Sequence, residues 1–188
     1  MREPRHNWIT GPRIAGVLLA GSLLLATPAA AQTGGTTSPT DPPPPSSPQK
    51  ATLLASGKAI PPENAPMRVV RAIQAGNRIR KKPYVYGGGH ASFDSKGYDC
   101  SGAVSYVLHA AGMLKSPLPS GSLMKWGNKG KGSWITVFAN GGHAYAMIAG
   151  LRWDTSAVNE PLQSGSGPRW RRTKRSSSGY KVRHFPKY

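Results

Sequence analysis

The apolar residues of this chain follow a helical spacing in two stretches and alternate with polar residues in several short stretches further on. In residues 63–82, Met67, Val70, Ala72 and Ile73 recur at helical spacing, which predicts a helix with one apolar face. Pro66 suits the first turn of a helix, because proline lacks the N–H that would find no partner there. Pro83 predicts that this helix ends before residue 83.

A second helix is predicted over residues 99–114. Its apolar stripe follows the spacing i, i+4, i+7, i+8 and i+11. The stripe consists of Cys100, Val104, Val107, Leu108 and Ala111. Asp99 stands directly before the stripe, where a carboxylate accepts the free N–H groups of the first turn, and Gly112 suits the end of the helix. This pattern places Cys100 in the first turn.

Short apolar stretches after the second helix predict β-strands. Residues 117–131 are rich in Gly, Pro and Ser and predict loops. The predicted strands cover residues 134–138, 143–149, 151–155 and 180–185. A short turn at Ala149 and Gly150 joins the second strand to the third. Helices followed by strands predict an α+β fold in which N-terminal helices pack on an antiparallel sheet.

The N-terminal residues have the layout of a secretory signal peptide. Three arginines precede an apolar stretch at residues 14–26, and the small residues Ala29, Ala30 and Ala31 follow. This order predicts a signal peptide over residues 1–31, cleaved after Ala31; an uncleaved membrane anchor is the alternative. The apolar stretch is shorter than the roughly 20 residues that span a bilayer. We therefore expect a secreted or cell-envelope protein without stable membrane insertion after cleavage.

Residues 32–62 differ from the rest of the chain in composition. They are rich in Thr, Ser and Pro, and four consecutive prolines stand at residues 42–45. With so few large apolar residues, such a segment cannot offset the entropy lost on ordering, so we predict a semi-extended linker. Residues 63–188 are then predicted to form one folded domain, which is close to the common domain size.

The charge of the chain is strongly positive and uneven. The formal net charge is +18, and eight lysines and arginines but no acidic residue follow Glu160. We call residues 169–187 the basic end. Such a surface serves solubility or binds nucleic acid, an anionic membrane or a wall polymer. Because the chain is predicted to be exported and has no nucleic-acid motif, anionic wall polymers are the predicted partner, nucleic acid is not, and a merely solvated edge is the alternative.

Cys100 is the only cysteine of the sequence, so it cannot form an internal disulfide. An intermolecular disulfide, an inert buried thiol and a nucleophile remain. The first turn of a helix favours the nucleophile, because the helix dipole and the free N–H groups stabilise a thiolate. We expect no metal, since one cysteine and no histidine pair at ligand spacing do not make a zinc site, and no cofactor.

A cysteine nucleophile needs a neighbouring base. His143 stands at the start of a predicted strand, which is a rigid position for a base. His109 lies nine residues along the predicted helix from Cys100, too far to reach the thiol. His90 lies in a glycine-rich loop and His184 near the basic end. We therefore predict that His143 is the base.

The predicted turn also brings a carboxylate to this base. A turn at residues 149–150 pairs Tyr145 with Asp154. His143 lies two residues before Tyr145 and shares its face, so Asp154 points to the same side as His143. A carboxylate there can hold the second imidazole nitrogen, as the orienting member of a triad does. A shift of the turn by one residue would place Thr155 there instead.

Three motifs, in this order along the chain, resemble those of NlpC-type cysteine peptidases of bacterial cell walls. They are residues 83–88 (PYVYGG), residues 99–102 (DCSG) and residues 142–143 (GH). The resemblance covers residues 65–154. It implies a compact papain-like fold and hydrolysis of peptide bonds in the peptidoglycan stem, typically next to D-glutamate.

The resemblance further implies roles for individual residues. Cys100 would attack the scissile carbonyl, and His143 would act as general base and then as general acid. Asp99 and Ser101 match motif positions that help to hold the stem peptide. Tyr84 matches a tyrosine that lines the site beside the nucleophile.

Three features depart from the pattern of that family. The third catalytic position is usually His, sometimes Asn or Gln, whereas Asp154 is the candidate here. Tyr86 stands where a tryptophan often precedes the glycine pair, and residues 167–188 lie outside the familiar core. The first departure leaves an alternative function open, a cell-wall-binding module with an inactive peptidase-like site.

Overall fold

The computed structural model describes residues 50–158 and 166–188. Its elements are β1 (Thr52–Leu53), β2 (Ala59–Ile60), α1 (Met67–Ile79), α2 (Cys100–Ala110), α3 (Ser120–Leu123), β3 (Asn128–Lys129), β4 (Ile135–Ala139), β5 (Ala144–Ile148), β6 (Leu151–Asp154), β7 (Arg169–Arg171) and β8 (Lys181–His184). The predicted signal peptide and residues 32–49 of the predicted linker lie outside the described residues. Within the described ranges, no helix has the length and apolarity that a membrane span requires.

The hairpin of β1 and β2 places part of the predicted linker inside the folded domain. Leu53 pairs with Ala59, and the N–H and C=O of the fully buried Ala59 bond the side-chain amide of Asn77 at 2.9 and 2.8 Å. Ala51 donates its N–H to Ala149 O at 2.8 Å. The domain therefore begins by Ala51 rather than at residue 63. Buried alanines, a partly buried Leu53 and hydrogen bonds of the backbone hold this hairpin, so composition did not reveal it.

The first helix, α1, is shorter than the predicted residues 63–82. Pro66 occupies the N-cap in an extended conformation, one position before the first turn, so the helix begins at Met67. Its apolar face is buried: Val69, Ala72 and Ile73 have no exposed surface. This face packs against α2, which makes the helix pair one side of the core.

The second helix confirms the predicted cap and stripe. Asp99 is the N-cap, and its Oδ1 accepts the N–H of Gly102 at 2.7 Å. Every member of the predicted stripe is buried. Gly112 has φ 68° and follows the helix in the left-handed conformation that ends many helices. Cys100 is therefore the first residue of α2 and retains free N–H groups around it.

Within the described residues, six antiparallel strands form one sheet in the order β3-β8-β4-β5-β6-β7. The central strands are largely buried, and α2 packs against β5 and β6. Trp153 links the two layers, because its Nε1–H donates to Ala103 O at 2.9 Å. The architecture is α+β, with helices packed on an antiparallel sheet, as predicted.

A two-residue turn joins β5 to β6 and sets the register of the site. Ala149 and Gly150 have φ values of 45° and 80°, the left-handed values that tight hairpin turns require. Ile148 pairs with Leu151, so the predicted register is confirmed. Asp154, the last residue of β6, consequently faces the same side of the sheet as Tyr145 and His143.

Two expectations about the C-terminal half are corrected. Residues 117–131, predicted as loops, contain α3 and β3. Strand β7 has no counterpart among the predicted strands and lies within the basic end. Trp170 of β7 packs on Trp153 with ring centroids 4.7 Å apart, and Arg171 is buried. Part of the basic end is thus an edge strand of the sheet. The strand was not predicted because its arginines do not fit the apolar pattern of a strand.

Candidate active site

Cys100 lines a surface cleft of about 360 Å³ at the start of α2. The cleft lies between residues 84–90, the first turn of α2, the start of α3 at residues 119–120 and the bend at residues 141–142. Cys100 is largely buried, with 9% of its surface exposed. Since the first N–H groups of a helix have no intrahelical acceptor, the thiol lies in a positive local field that favours its thiolate.

His143 is held next to this thiol by the turn that precedes β5. Asn140 Oδ1 accepts the N–H groups of Gly142 and His143 at 3.0 and 2.8 Å. His143 is close enough to Cys100 to lower the pKa of its thiol, and the Nε2 of His143 lies 2.9 Å from Asp154 Oδ1. The fold therefore brings together the three residues predicted as catalytic, and it leaves Nδ1 as the nitrogen available to the thiol.

The electrostatics of the pair favour a thiolate and an imidazolium. Burial raises the pKa of Cys100, but hydrogen bonds from His143 and the Ala144 N–H outweigh burial and lower it below its ordinary value. Burial lowers the pKa of His143, but hydrogen bonds to Asp154 and Cys100 raise it to about 9. The proton thus moves from sulfur toward the ring, and the two groups titrate as a coupled pair.

Asp154 is a fully buried carboxylate that bonds several groups at once. Its Oδ1 accepts the N–H of Ser156 at 2.9 Å, in addition to the bond with His143. Its Oδ2 lies 3.3 Å from both Arg152 Nε and Arg175 Nη1. The side chain of Arg152 is itself fully buried. Two guanidinium groups therefore offset the buried negative charge and fix the carboxylate that orients the imidazole.

Thr155, the alternative third residue, occupies the next position along the chain. Successive residues of a strand point to opposite faces, and the register places Asp154 on the side of His143. Thr155 is buried, and its backbone O accepts the N–H of Gly167 at 3.1 Å. The geometry therefore favours Asp154 for the third position.

His90 joins the residues that flank the thiol, although the sequence analysis set it aside. Its Nε2 lies 3.0 Å from Asp99 Oδ1 and 3.1 Å from Ser101 Oγ. The loop that carries it is tied to α2, because Asp99 donates its N–H to Gly88 O at 3.1 Å. The glycine run directly before His90 was the available signal, since glycines permit such close backbone approach. Gly102 allows the same close approach from the side of α2, because a Cβ atom at this position would overlap Gly88 O.

The cleft also contains the predicted substrate-binding residues. Asp99 and Ser101 lie on either side of Cys100 and Tyr84 lies opposite, all three lining the cleft. Burial, followed by the nearby Cys100 and Asp99, raises the pKa of Tyr84, so its hydroxyl remains a neutral hydrogen-bonding group. Tyr86 is 91% exposed at the cleft. A large exposed ring at this point offers a surface on which a substrate can pack.

The remaining histidines have contacts elsewhere. His109 stacks on Phe93 with centroids 3.8 Å apart, and its Nδ1 lies 2.9 Å from Leu114 O. His184 Nδ1 lies 3.2 Å from Gly130 O. Among the residues that the structure describes, no group of three or more His, Cys, Asp or Glu side chains could hold a metal ion.

Comparisons with known proteins give likenesses in structure only. No family model matches the chain, and no curated protein matches it. One similar solved structure is the peptidoglycan hydrolase RipB from Mycobacterium tuberculosis, at 21% identity over 69% of this chain and 70% of that one, with a TM-score of 0.48. Another is a mutant of the resuscitation promoting factor interacting protein RipA, at 20% identity over 74% and 73%, with a TM-score of 0.47.

Proposed function

We propose that this chain is an exported cysteine peptidase that hydrolyses peptide bonds in the stem of peptidoglycan. The observation that carries the proposal is the 2.9 Å pairing of His143 Nε2 with Asp154, next to a cleft cysteine whose thiol pKa His143 lowers. A nucleophile, a base and an orienting group in hydrogen-bond reach of one another are the arrangement that acyl transfer to a side chain requires.

Each group has a defined task in the proposed reaction. The Cys100 thiolate attacks the scissile carbonyl carbon, and the N–H groups at the start of α2 stabilise the oxygen anion that forms. His143 gives its proton to the leaving amine, which leaves a thioester on Cys100. The neutral ring then takes a proton from water, the hydroxide attacks the thioester, and the thiolate is restored. Asp154 keeps the imidazole oriented throughout.

The proposed substrate follows from the resemblance of the motifs around the cleft to those of NlpC-type peptidases. In that resemblance Asp99 and Ser101 help to hold the stem peptide and Tyr84 lines the site. These residues place polar groups next to the nucleophile, and His90 adds an imidazole to them. Such convergent polar groups beside a reactive thiol suit a short polar peptide.

The direct test uses purified peptidoglycan and the chain from residue 32 onward. After incubation, mass spectrometry of the soluble products should reveal new amino and carboxyl termini within the stem peptides. Preincubation with iodoacetamide, which alkylates the thiol, should abolish their release. Products that are unchanged by alkylation, or the absence of new termini, would refute a cysteine peptidase acting on the stem.

Thiol reactivity separates this function from the alternative, a wall-binding module with an inactive site. The pKa of Cys100 is lowered and that of His143 is raised to about 9. The thiolate therefore persists to a lower pH than the thiolate of a free cysteine and is lost only below the lowered thiol pKa. At a pH below the ordinary thiol pKa of about 8.5, we expect iodoacetamide to label Cys100 faster than it labels a free cysteine, as measured by mass spectrometry at timed intervals.

The control for this measurement is His143→Ala, which removes the proton acceptor and should move labelling to higher pH. Labelling of the wild-type chain that rises only near the pKa of an ordinary thiol, about 8.5, or that is the same in His143→Ala, would favour the inactive module.

We further propose that the basic end binds anionic wall polymers. Several of its arginines have structural partners: Arg169 bonds Lys82 O at 3.2 Å, and Arg183 bonds Met124 O at 2.6 Å. Lys181 and Lys187 have exposed side chains. These two lysines are therefore well placed to meet a polymer.

Binding through exposed lysines predicts a strong dependence on salt. Charges separated by more than about 10 Å are screened at 0.1 M ionic strength. We expect cosedimentation with isolated cell walls to fall steeply as salt rises, and to weaken in the Lys181→Ala/Lys187→Ala double variant. The double variant Lys58→Ala/Lys115→Ala removes the same charge from other exposed positions. Binding that ignores salt, or that falls equally in both variants, would contradict a role for the basic end.

A further inference from the structure

His90 has a ring nitrogen that neither the fold nor the proposed reaction uses. The residue lines the cleft of Cys100, and 24% of its side chain is exposed. Its Nε2 lies 3.0 Å from Asp99 Oδ1 and 3.1 Å from Ser101 Oγ. None of the described residues bonds its Nδ1. This nitrogen is therefore free to meet a group of the substrate.

The contacts of Nε2 decide which nitrogen of the neutral His90 ring carries the proton. A carboxylate only accepts hydrogen bonds, so Nε2 is the nitrogen that donates its N–H to Asp99 Oδ1. A neutral imidazole has one N–H and one lone pair, on different nitrogens. The Nδ1 of neutral His90 is consequently a hydrogen-bond acceptor.

Asp99 has a second acceptor in the same cleft. Its Oδ1 accepts the N–H of Gly102 at 2.7 Å and the hydroxyl of Ser101 at 3.2 Å, in addition to the bond with His90. Its Oδ2 accepts the N–H of Gly87 at 3.2 Å and no other donor among the described residues. Because each carboxylate oxygen has two lone pairs, Oδ2 can accept one more N–H.

The charges around the cleft oppose a second carboxylate. No lysine or arginine stands among the described residues that line it, whereas Asp99 and the Cys100 thiolate are both negative. The facing cation is His143, whose charge the thiolate and Asp154 already offset. A substrate carboxylate at His90 would therefore meet like charge and two acceptors. A primary amide is neutral and supplies two N–H donors.

We propose that His90 and Asp99 make the site specific for a primary amide on the stem residue next to the scissile bond; this inference rests on the proposed peptidase function. The D-glutamate that the motif resemblance implies there keeps one carboxyl group outside its peptide bonds, as a carboxylate or as its amide. The amide NH₂ donates to His90 Nδ1 and Asp99 Oδ2. A site built to bond N–H groups discriminates against analogues that lack them.

The test compares three stem peptides that differ only at this group. They carry the primary amide, the free carboxylate, and the dimethylamide, which is neutral but has no N–H. Hydrolysis by the chain from residue 32 onward is followed at pH 8, which favours the neutral form of an imidazole. We expect kcat/KM for the primary amide to exceed kcat/KM for each of the other two peptides by about tenfold or more.

His90→Gln separates the role of Nδ1 from the bond to Asp99. The glutamine NH₂ reaches about as far as Nε2 and can still donate to Asp99, but nothing replaces the acceptor at Nδ1. The preference for the primary amide over the dimethylamide should fall by about threefold or more. His109→Phe is the matched control, because it removes an exposed imidazole outside the cleft and keeps a ring against Phe93. It should retain the wild-type preference.

Failure of this inference is distinguishable from failure of the proposed function. If none of the three peptides is cut, the peptidase proposal fails, and calorimetric titration of the peptides into Cys100→Ala still ranks their affinities. Equal kcat/KM for the amide and the carboxylate, or a preference for the carboxylate, would overturn amide specificity. Absence of binding to Cys100→Ala when no peptide is cut, or an equal loss of preference in His90→Gln and His109→Phe, would overturn it as well.

Discussion

Cys100→Ala is expected to lower stem-peptide hydrolysis by at least about 10⁴-fold, because no thiolate remains to attack the carbonyl. What is left of the rate comes from binding and from the N–H groups at the start of α2. The substitution removes one sulfur atom from a largely buried position, and the cap on Asp99 and the stripe of α2 remain. The rate is measured by chromatography of muropeptides released over time.

Cys100→Ser is the companion variant, since its hydroxyl has nearly the shape of the thiol but a much higher pKa. Both variants should still bind isolated cell walls as the wild-type chain does, which shows that they fold. A Cys100→Ala rate within a factor of about ten of wild type would be incompatible with nucleophilic catalysis by this residue.

Asp154→Ala is expected to reduce both stability and activity. It leaves the fully buried Arg152 without its carboxylate, and breaking a buried ion pair in this way costs about 3–5 kcal/mol of the free energy of unfolding. It also removes the carboxylate that orients the imidazole of His143, so that hydrolysis should fall by about 10²–10⁴-fold. Urea titration measures the first effect, and muropeptide release below the unfolding transition measures the second.

Two further variants distinguish orientation of the ring from stability of the fold. Asp154→Asn keeps an oxygen that accepts the Nε2–H of His143 but loses the charge opposite Arg152 and Arg175, so it should recover activity more than stability. Thr155→Val alters the adjacent buried residue without touching the imidazole, so it should retain activity. If Thr155→Val lost as much activity as Asp154→Ala, the assignment of the third residue to Asp154 would be wrong.

Local patterns predicted the part of the site that depends on short stretches of chain. The capping carboxylate of Asp99, the stripe of α2 and the turn at residues 149–150 each involve residues a few positions apart, and the structure confirms all three. The same turn predicted which side of the sheet Asp154 faces. A hairpin with two turn residues admits one register, so its pairings follow from the sequence.

Features that lack a local signal were missed or misplaced. The β1–β2 hairpin lies in a stretch whose composition predicted a linker, and the side-chain amide of Asn77 in α1 holds it through hydrogen bonds to the backbone of Ala59. The sequence of strand β7 resembles a run of exposed charges. In the structure, however, its arginines bury their side chains or bond carbonyl oxygens. Neither could be predicted, because the stabilising partner lies far away along the chain.

The sequence by itself predicted that Cys100 begins a helix with a capping carboxylate. It also predicted, for a turn at residues 149–150, that His143 and Asp154 share one side of a hairpin, with Thr155 as the alternative for a turn shifted by one residue. These relations depend on hydrogen bonds within a helical turn or across a tight turn. Only the tertiary structure decided that the hairpin lies against that helix start, that His90 joins Asp99 and Ser101, and that Arg152 and Arg175 offset the buried charge of Asp154. Such contacts form when packing of the core brings separate segments together, and the residues concerned carry no local signal of their partners.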